Sequence, residues 1–288
     1  VNLETTLTRR GRYTGYPLFR SPVALADALR DAGVDVAVLA NNHCCDGGAE
    51  GIRTTVAELD RCGILHTGVF ADSADYKKNN PLYLNRCGMR LAIVNYTYGT
   101  NGMPVPAGTI VNLIDTVRMA ADLAEARASG VDFIVACLHW GNEYERRENA
   151  GQRSLAAFLR RNGVGVVVGS HPHVVQPWRA DSSHVVLYSL GNLVSNQRRR
   201  YTDGGLVAAV EAVRSRVGRA ARLPHPAARG RRHDVAARSL RRLPCRRGRT
   251  GGKRPISKPN SPIERNDGYF LEIVSGNRYL CNSKNAHT

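Results

Sequence analysis

Two histidines stand two positions apart in residues 164–176, which read Val-Gly-Val-Val-Val-Gly-Ser-His-Pro-His-Val-Val-Gln. The β-branched residues before Gly169 predict a buried strand, so His171 and His173 lie where a parallel strand passes into its loop. Open α/β sheets place their ligand sites at this edge. Two imidazoles around the rigid Pro172 can direct ring nitrogens at one point, which is typical of a metal site.

Two further predicted strands end in polar residues of the same kind. The apolar residues 34–40 run into Asn42 and His43, and the apolar residues 131–138 run into His139. Three strands therefore end in side chains that can bind a metal ion. Their coincidence favours one site built from several strand ends over three unrelated surface histidines.

Helices and strands alternate through most of the chain, which predicts an α/β fold. Gly63 and Gly130 suit helix ends, and Ser21 suits the N-cap of the first helix. The residues around Cys87-Gly88 predict a hairpin. The predicted helices are 22–31, 48–61, 112–129 and 154–161; the predicted strands are 34–40, 64–68, 82–85, 90–96, 131–138, 164–168 and 184–190. Residues 204–213 are the last stretch predicted to be ordered core, and residues 269–274 and 279–280 could form a strand pair.

The positive charge is concentrated near the end of the chain. The net charge is +17, but residues 214–288 carry +15 of it and residues 1–213 only +2. This composition predicts an ordered domain over 1–213 and an arginine-rich segment over 214–288 that is disordered or a frameshifted translation. A nucleic-acid-binding arm is the alternative for that segment, but it lacks aromatic residues interleaved with the arginines for base stacking.

Other sequence features exclude several protein classes. Seven cysteines without a Cys-x-x-Cys spacing indicate neither a disulfide framework nor a zinc knuckle. No run of about 18 apolar residues is present, so no membrane span is predicted. The chain begins with Val1, without a leader sequence, and we expect an N-terminal piece and any export signal to lie upstream.

Six blocks of sequence, in order, resemble capsule-synthesis proteins of the CapA type (poly-γ-glutamate biosynthesis), which are similar in fold to calcineurin-like metallophosphatases. The resemblance covers about residues 1–213. The blocks are Val-Asn-Leu-Glu-Thr at 1–5, Leu-Ala-Asn-Asn-His at 39–43 with Asp46 and Gly48, Gly-Ile-Leu-His-Thr-Gly at 63–68, His-Trp-Gly-Asn-Glu-Tyr at 139–144, Gly-Ser-His-Pro-His-Val-Val-Gln at 169–176 and Tyr-Ser-Leu-Gly-Asn at 188–192.

The resemblance implies a layered α/β/β/α sandwich with two divalent metal ions, of the Mn, Fe, Zn or Mg type. His43 would be the catalytic residue that handles a proton at the leaving oxygen. The family's first strand, which ends in Gly-Asp, would lie upstream of Val1, so we expect a fold incomplete at its N-terminus. The implied metal ligands are Glu4, Asn42, His139, His171 and His173, and the substrate-binding candidates are Asn2, Glu143 and Asn192.

Several of these residues also have structural interpretations. His43 could cap the turn before the second helix, and Asp46 could be the N-cap of that helix. Glu143 could pair with Arg146 or Arg147 on the surface. Asn192 could serve the turn that follows Gly191.

The resemblance implies a metal-dependent hydrolase in the synthesis of an extracellular anionic polymer. The alternative is a non-catalytic component of capsule assembly or export; nucleic-acid binding is a third, weaker possibility. The expected partners are an anionic polymer or phosphoester substrate and membrane proteins of capsule synthesis. The implied location is extracytoplasmic or membrane-associated.

Overall fold

The computed structural model describes residues 1–86, 88–181, 183–215, 218–222 and 267–276, with only the backbone for residue 211 and from 213 onward. The described helices are α1 (Ala24–Asp31), α2 (Gly48–Arg61), α3 (Ser73–Asn79), α4 (Thr116–Ala128) and α5 (Ala150–Arg161). The described strands are β1 (Asn2–Leu3), β2 (Thr6–Thr8), β3 (Arg20–Pro22), β4 (Val36–Val38), β5 (Leu65–Thr67), β6 (Val69–Phe70), β7 (Leu82–Arg86), β8 (Met89–Thr97), β9 (Ile110–Val111), β10 (Phe133–His139), β11 (Val166–Ser170), β12 (Trp178–Ala180), β13 (Val185–Leu187), β14 (Val207–Ser215), β15 (Gly218–Arg222) and β16 (Asp267–Gly276).

Two six-stranded sheets contain most of these strands. The first has the order β15-β14-β16-β1-β4-β5 and the second the order β12-β13-β11-β10-β8-β7. Strands β1, β4 and β5 are parallel to one another, as are β8, β10, β11 and β13. The carboxyl ends of these strands therefore gather at one edge of each sheet, where the sequence predicts the site.

Three apolar clusters define four layers. One contains Ala37 from the first sheet and Ile52 from α2, and another contains Ala136 from the second sheet and Leu159 from α5. The third lies between the sheets and joins Val38 to residues of β8, β10 and β11. The predicted α/β/β/α sandwich is confirmed.

Most predicted elements are present, with shifted ends. The hairpin β7–β8 and the strands β10 and β11 are confirmed. Helix α4 begins after Asp115, whose carboxylate accepts the Val117 N–H at 2.8 Å, and not at residue 112. Helix α5 begins after Asn149, which forms a capping box with Gln152. The prediction that Ser21 is the N-cap of the first helix is wrong, because Ser21 lies in β3 and Val23 occupies the cap position.

The segment predicted to be an arginine-rich tail contributes strands to the first sheet. Strand β16 pairs in parallel with β1 and antiparallel with β14, and β15 pairs antiparallel with β14. Strand β16 includes the possible strand 269–274 named from the sequence. The prediction for residues 223–266 and 277–288 lies outside the described residues.

A buried asparagine joins the two sheets beside their carboxyl ends. Asn95 of β8 is 2% exposed, and its Oδ1 accepts the backbone N–H of Ala40 at 2.6 Å. Its Nδ2 donates to the carbonyl of Cys137 in β10 at 3.0 Å. Gly68 lies against this amide at φ 97°, and a Cβ there would collide with Oδ1 of Asn95. This side chain therefore fixes the end of β4 relative to the second sheet.

We expect Asn95→Ala to lower the free energy of unfolding by about 2–3 kcal/mol, because it leaves the buried Ala40 N–H without its acceptor and removes the hydrogen bond to the Cys137 carbonyl. Urea denaturation measures the change. Asn85→Ala, on the exposed part of β7, is the matched control and should change stability by less than about 0.5 kcal/mol. Equal effects of the two substitutions would contradict a bridging role for Asn95.

Candidate metal centre

Five side chains with metal-binding atoms meet at the carboxyl ends of four strands. Glu4 follows β1, Asn42 follows β4, His139 ends β10, and His171 and His173 follow β11. All five are buried, with exposed fractions between 0% and 6%. The structure therefore brings together every residue proposed as a metal ligand from the sequence.

His139 is the centre of the cluster and is fully buried. Its Nε2 lies 2.8 Å from Oδ1 of Asn42, and its Nδ1 lies 2.9 Å from Oγ of Ser170. The Asn42 oxygen can only accept, so Nε2 carries the proton in this arrangement. The Ser170 hydroxyl can either donate or accept. The proton of His139 can therefore lie on Nδ1 instead, which leaves Nε2 unprotonated and able to bind a metal ion.

Burial lowers the pKa of His139 well below its usual value, and the neighbouring histidines lower it further. His139 is therefore neutral near pH 7, the form that binds metal ions. Glu4 Oε1 lies 3.8 Å from Nε2 of His139. A buried carboxylate beside a neutral imidazole is an environment that a bound cation stabilises.

Asn2, a predicted substrate-binding residue, lies behind Glu4. Its Nδ2 donates to Oε2 of Glu4 at 3.0 Å, and its Oδ1 accepts from Asn41 at 3.4 Å. Asn41 also donates to the carbonyl groups of Leu3 and Leu39 at 2.9 Å. These contacts orient the carboxylate of Glu4.

His171 and His173 have backbone conformations that non-glycine residues rarely adopt. Their φ angles are 99° and 60°, in the left-handed region. The ring of His171 lies 4.9 Å from that of His139 and 4.6 Å from that of Tyr98. Backbone strain of this kind is found at sites where the surrounding structure holds a side chain in position for function.

The two histidines differ in their electrostatic environment. Burial lowers the pKa of His171 to about 4, with a further contribution from His173, and its buried Nδ1 has no hydrogen-bond partner among the described residues. Burial also opposes protonation of His173, but hydrogen bonding to Glu143 and the charge of Glu4 raise its pKa.

Glu143 and Asn192, the other predicted substrate-binding residues, both contact His173. The Asn192 oxygen lies 3.1 Å from Nδ1 of His173, and Oε1 of Glu143 lies 3.6 Å from its Nε2. Asn192 and Glu143 therefore face the two ring nitrogens of His173. The alternative pairing of Glu143 with Arg146 or Arg147 is absent from the ion pairs of the described residues.

His43, the predicted catalytic residue, is held by Asp46. Nδ1 of His43 lies 2.8 Å from Oδ2 of Asp46, which also accepts the Phe19 N–H at 2.6 Å. The N-cap of α2 is Gly47, so Asp46 is not the cap that the sequence allowed. Because the carboxylate fixes the proton on Nδ1, His43 presents Nε2 towards Asn101, 3.4 Å away.

The sequence analysis missed Asn101 and Tyr98. Asn101 has a φ of 53°, and its Oδ1 accepts from Asn42 at 3.2 Å, so it links Asn42 to His43. The Asn101-Gly102 pair is a recognisable turn signal. That signal predicts the turn but not its position beside two other strand ends.

The donor set fits a divalent cation chemically: one carboxylate, one amide oxygen and three imidazoles are buried together, and Nδ1 of His171 has no partner in the described residues. In the same described part, no group of three or more His, Cys, Asp and Glu side chains is arranged to enclose a metal ion. Asn42 is not one of these four residue types, because its side chain is an amide. The cluster therefore supplies suitable ligand atoms without forming a closed shell.

Residues 1–197 match the family described as bacterial capsule synthesis protein PGA_cap. The chain belongs to this family. The resemblance inferred from the six sequence blocks is thus confirmed.

Among the described residues, none of the helices combines the length and apolar character that a membrane span requires.

Two curated relatives are about equally similar to this PGA_cap chain. It is 30% identical over 186 residues to the capsule biosynthesis protein CapA of Bacillus anthracis, covering 62% of this chain and 45% of that one. It is 30% identical over 181 residues to the PGA biosynthesis protein CapA of Bacillus subtilis, covering 62% and 47%. The chain spans about half the length of these relatives.

Two solved structures are similar over part of the chain. The sulfate thiohydrolase SoxB of Thermus thermophilus has a TM-score of 0.41 and 19% identity, covering 58% of this chain and 30% of that one. The NAD nucleotidase of Haemophilus influenzae has a TM-score of 0.45 and 14% identity, covering 70% and 41%.

We expect acid to destabilise the fold partly through His171. Its pKa is about 4 in the folded chain against 6.5 ordinarily, so the unfolded state binds more protons between these values and acid favours it. Stability is therefore lost as the pH falls below 6.5. From about pH 7 to about pH 5, His171 should account for a loss of about 2 kcal/mol.

Urea denaturation in the presence of EDTA at the two pH values measures this loss. His171→Asn removes the titrating group and should show a correspondingly weaker dependence of unfolding free energy on pH. The same dependence in both proteins would contradict burial of a neutral His171.

Proposed function

We propose that this chain carries a metal-dependent hydrolase site that acts in the synthesis or processing of an anionic capsule polymer. The observation that carries the proposal is the convergence of Glu4, Asn42, His139, His171 and His173 from four strand ends into one buried cluster. Membership of the capsule synthesis family supports the biological role.

The chain's own residues divide into ligands and a proton carrier. Glu4, Asn42 and the three imidazoles would hold two divalent ions, which when bound neutralise an oxyanion and lower the pKa of a coordinated water. His43 moves a proton at its Nε2, because its Nδ1 is engaged by Asp46. Asn101 orients both Asn42 and His43.

A non-catalytic role in capsule assembly or export is the second candidate. It would use the same buried cluster. In that case the same cluster would bind carboxylates of the polymer. Association with membrane proteins of capsule synthesis and an extracytoplasmic location accompany both candidates.

We expect the double substitution His171→Ala/His173→Ala to reduce the divalent metal retained per chain to about a tenth or less, since it removes two of the proposed ligands. Elemental mass spectrometry of the protein after dialysis against buffer containing Mn²⁺ or Zn²⁺ and then against metal-free buffer measures this.

The matched control is His66→Asn/His184→Asn, which replaces two buried histidines outside the cluster. It should retain as much metal as the unaltered chain. Equal retention by the ligand variant and the control would contradict the proposed site.

We expect His43→Gln to keep its metal but lose at least about a hundredfold in kcat on a phosphodiester such as bis-(p-nitrophenyl) phosphate, because it removes the proton carrier. Steady-state kinetics and metal content are measured together, with His66→Gln as the control. Cells that express His43→Gln and still make normal amounts of polymer would favour the non-catalytic role instead.

A further inference from the structure

A groove of about 730 Å³ rich in arginine lies beside the candidate metal centre. Its walls come from the loop between β10 and α5, from the first turn of α5 and from β12 with the residue before it. The walls include Arg146, Arg147, Arg153 and Arg179, together with Glu148 and Pro177. With Arg199 and Arg200 from the loop after β13, which contact tyrosines at the same place, these residues form a surface that we name the arginine rim.

Five of the six rim arginines carry charge that no carboxylate neutralises. Among the described residues, no ion pair includes Arg146, Arg147, Arg153, Arg199 or Arg200. Arg179, by contrast, pairs with Glu148 at 3.1 Å. Uncompensated guanidinium groups in a concave surface attract anions, and their planar N–H edges match a carboxylate in a bidentate manner.

Two tyrosines hold the rim arginines in place. The guanidinium of Arg199 lies 4.1 Å from the centre of the Tyr144 ring, and that of Arg146 lies 4.3 Å from the Tyr201 ring. Arg200 lies 4.7 Å from the same Tyr201 ring. Both tyrosines have positive φ angles, 67° and 71°. Stacking reduces the freedom that these long side chains would lose on binding a ligand.

The rim connects directly to the candidate centre. The Tyr144 ring lies 6.0 Å from the ring of His173, and the Tyr144 N–H donates to the carbonyl of Pro172 at 2.8 Å. Buried Gln176 supports the same loop by donating to the carbonyl groups of Glu145 and Arg147 at 2.8 and 3.2 Å. A ligand bound along the rim therefore reaches the edge of the cluster.

We propose that the arginine rim binds a polycarboxylate chain and leads it to the cluster of Glu4, Asn42, His139, His171 and His173. Binding of the polymer to the rim does not depend on the proposed function. Only the reaction that would follow at the cluster rests on it. Spaced guanidinium groups along a groove suit a flexible polymer with a carboxylate on each unit. A single small anion would use one or two of them.

The rim is less suited to nucleic acid. Proteins that bind single strands stack bases on exposed aromatic faces. Here guanidinium groups already lie against the rings of Tyr144 and Tyr201. The geometry therefore favours carboxylates over nucleotides.

The test measures binding of fluorescent poly-γ-glutamate to the full chain by fluorescence anisotropy at fixed ionic strength. The variants are Arg146→Gln/Arg199→Gln and, as a second rim pair, Arg147→Gln/Arg200→Gln. Each should weaken affinity by at least about tenfold, because two charge-assisted contacts are lost. Poly-γ-glutamate with methyl-esterified carboxylates should not bind.

Arg90→Gln/Arg161→Gln is the matched control. It removes the same charge at the opposite end of the second sheet, and Arg90 also lies over a tyrosine ring, that of Tyr83 at 5.4 Å. Its affinity should change by less than about twofold, since long-range effects of exposed charges are screened by salt. Equal losses in the rim and control variants, or no loss in either rim pair, would overturn the proposal.

A single-stranded oligonucleotide of equal charge is the competitor. Failure to displace the polymer at matched charge supports carboxylate recognition; displacement as effective as that by unlabelled polymer would overturn it.

Metal content and phosphodiester hydrolysis are measured on every variant. If polymer binding depends on the rim but the protein neither retains metal nor hydrolyses the phosphodiester, the proposed function fails and the rim proposal stands. If the protein retains metal and hydrolyses the phosphodiester but polymer binding does not depend on the rim, the proposed function stands and the rim proposal fails.

Discussion

The hydrogen bond between His139 and Asn42 joins the two sheets at the edge where their strands end. His139 ends a central strand of one sheet, and Asn42 follows a strand of the other. Because both side chains are buried, neither can exchange this partner for bulk water without opening the sandwich. The positions of Glu4, His171 and His43 around this bond follow from how the sheets face each other.

The strands that end in ligand-type residues could be predicted from the sequence, because β-branched runs followed by polar residues are local patterns. The approach of Asn42 to His139 could not, since it depends on the packing of one sheet against the other. The contacts that Asn101 makes with Asn42 and His43 are tertiary for the same reason, whereas Asp46 meets His43 three positions away in the chain. Residues 269–274 could be read as a strand from the sequence, but the pairing of β16 with β1 and β14 could not, because those partners are remote in sequence.

Two kinds of physical support hold the region together. The cluster is fixed by buried hydrogen bonds, including those that Asn2, Ser170 and Asn192 make to the proposed ligands. The arginine rim is fixed by stacking on tyrosines and by the buried pair Gln152 and Gln176 beneath its loop, whose side-chain amides lie 2.9 Å apart. The inner part is therefore buried and hydrogen-bonded, whereas the outer part is exposed and charged.

The left-handed backbone at His171 and His173 makes histidine less favourable for folding stability than glycine would be at these two positions. Glycine adopts this conformation without steric strain, so glycine at either position would relax the loop while removing an imidazole. A library of loop variants sorted for heat resistance alone would therefore accumulate glycine where the two histidines now stand. Selection for folding and selection for the cluster act on this short segment in opposite directions.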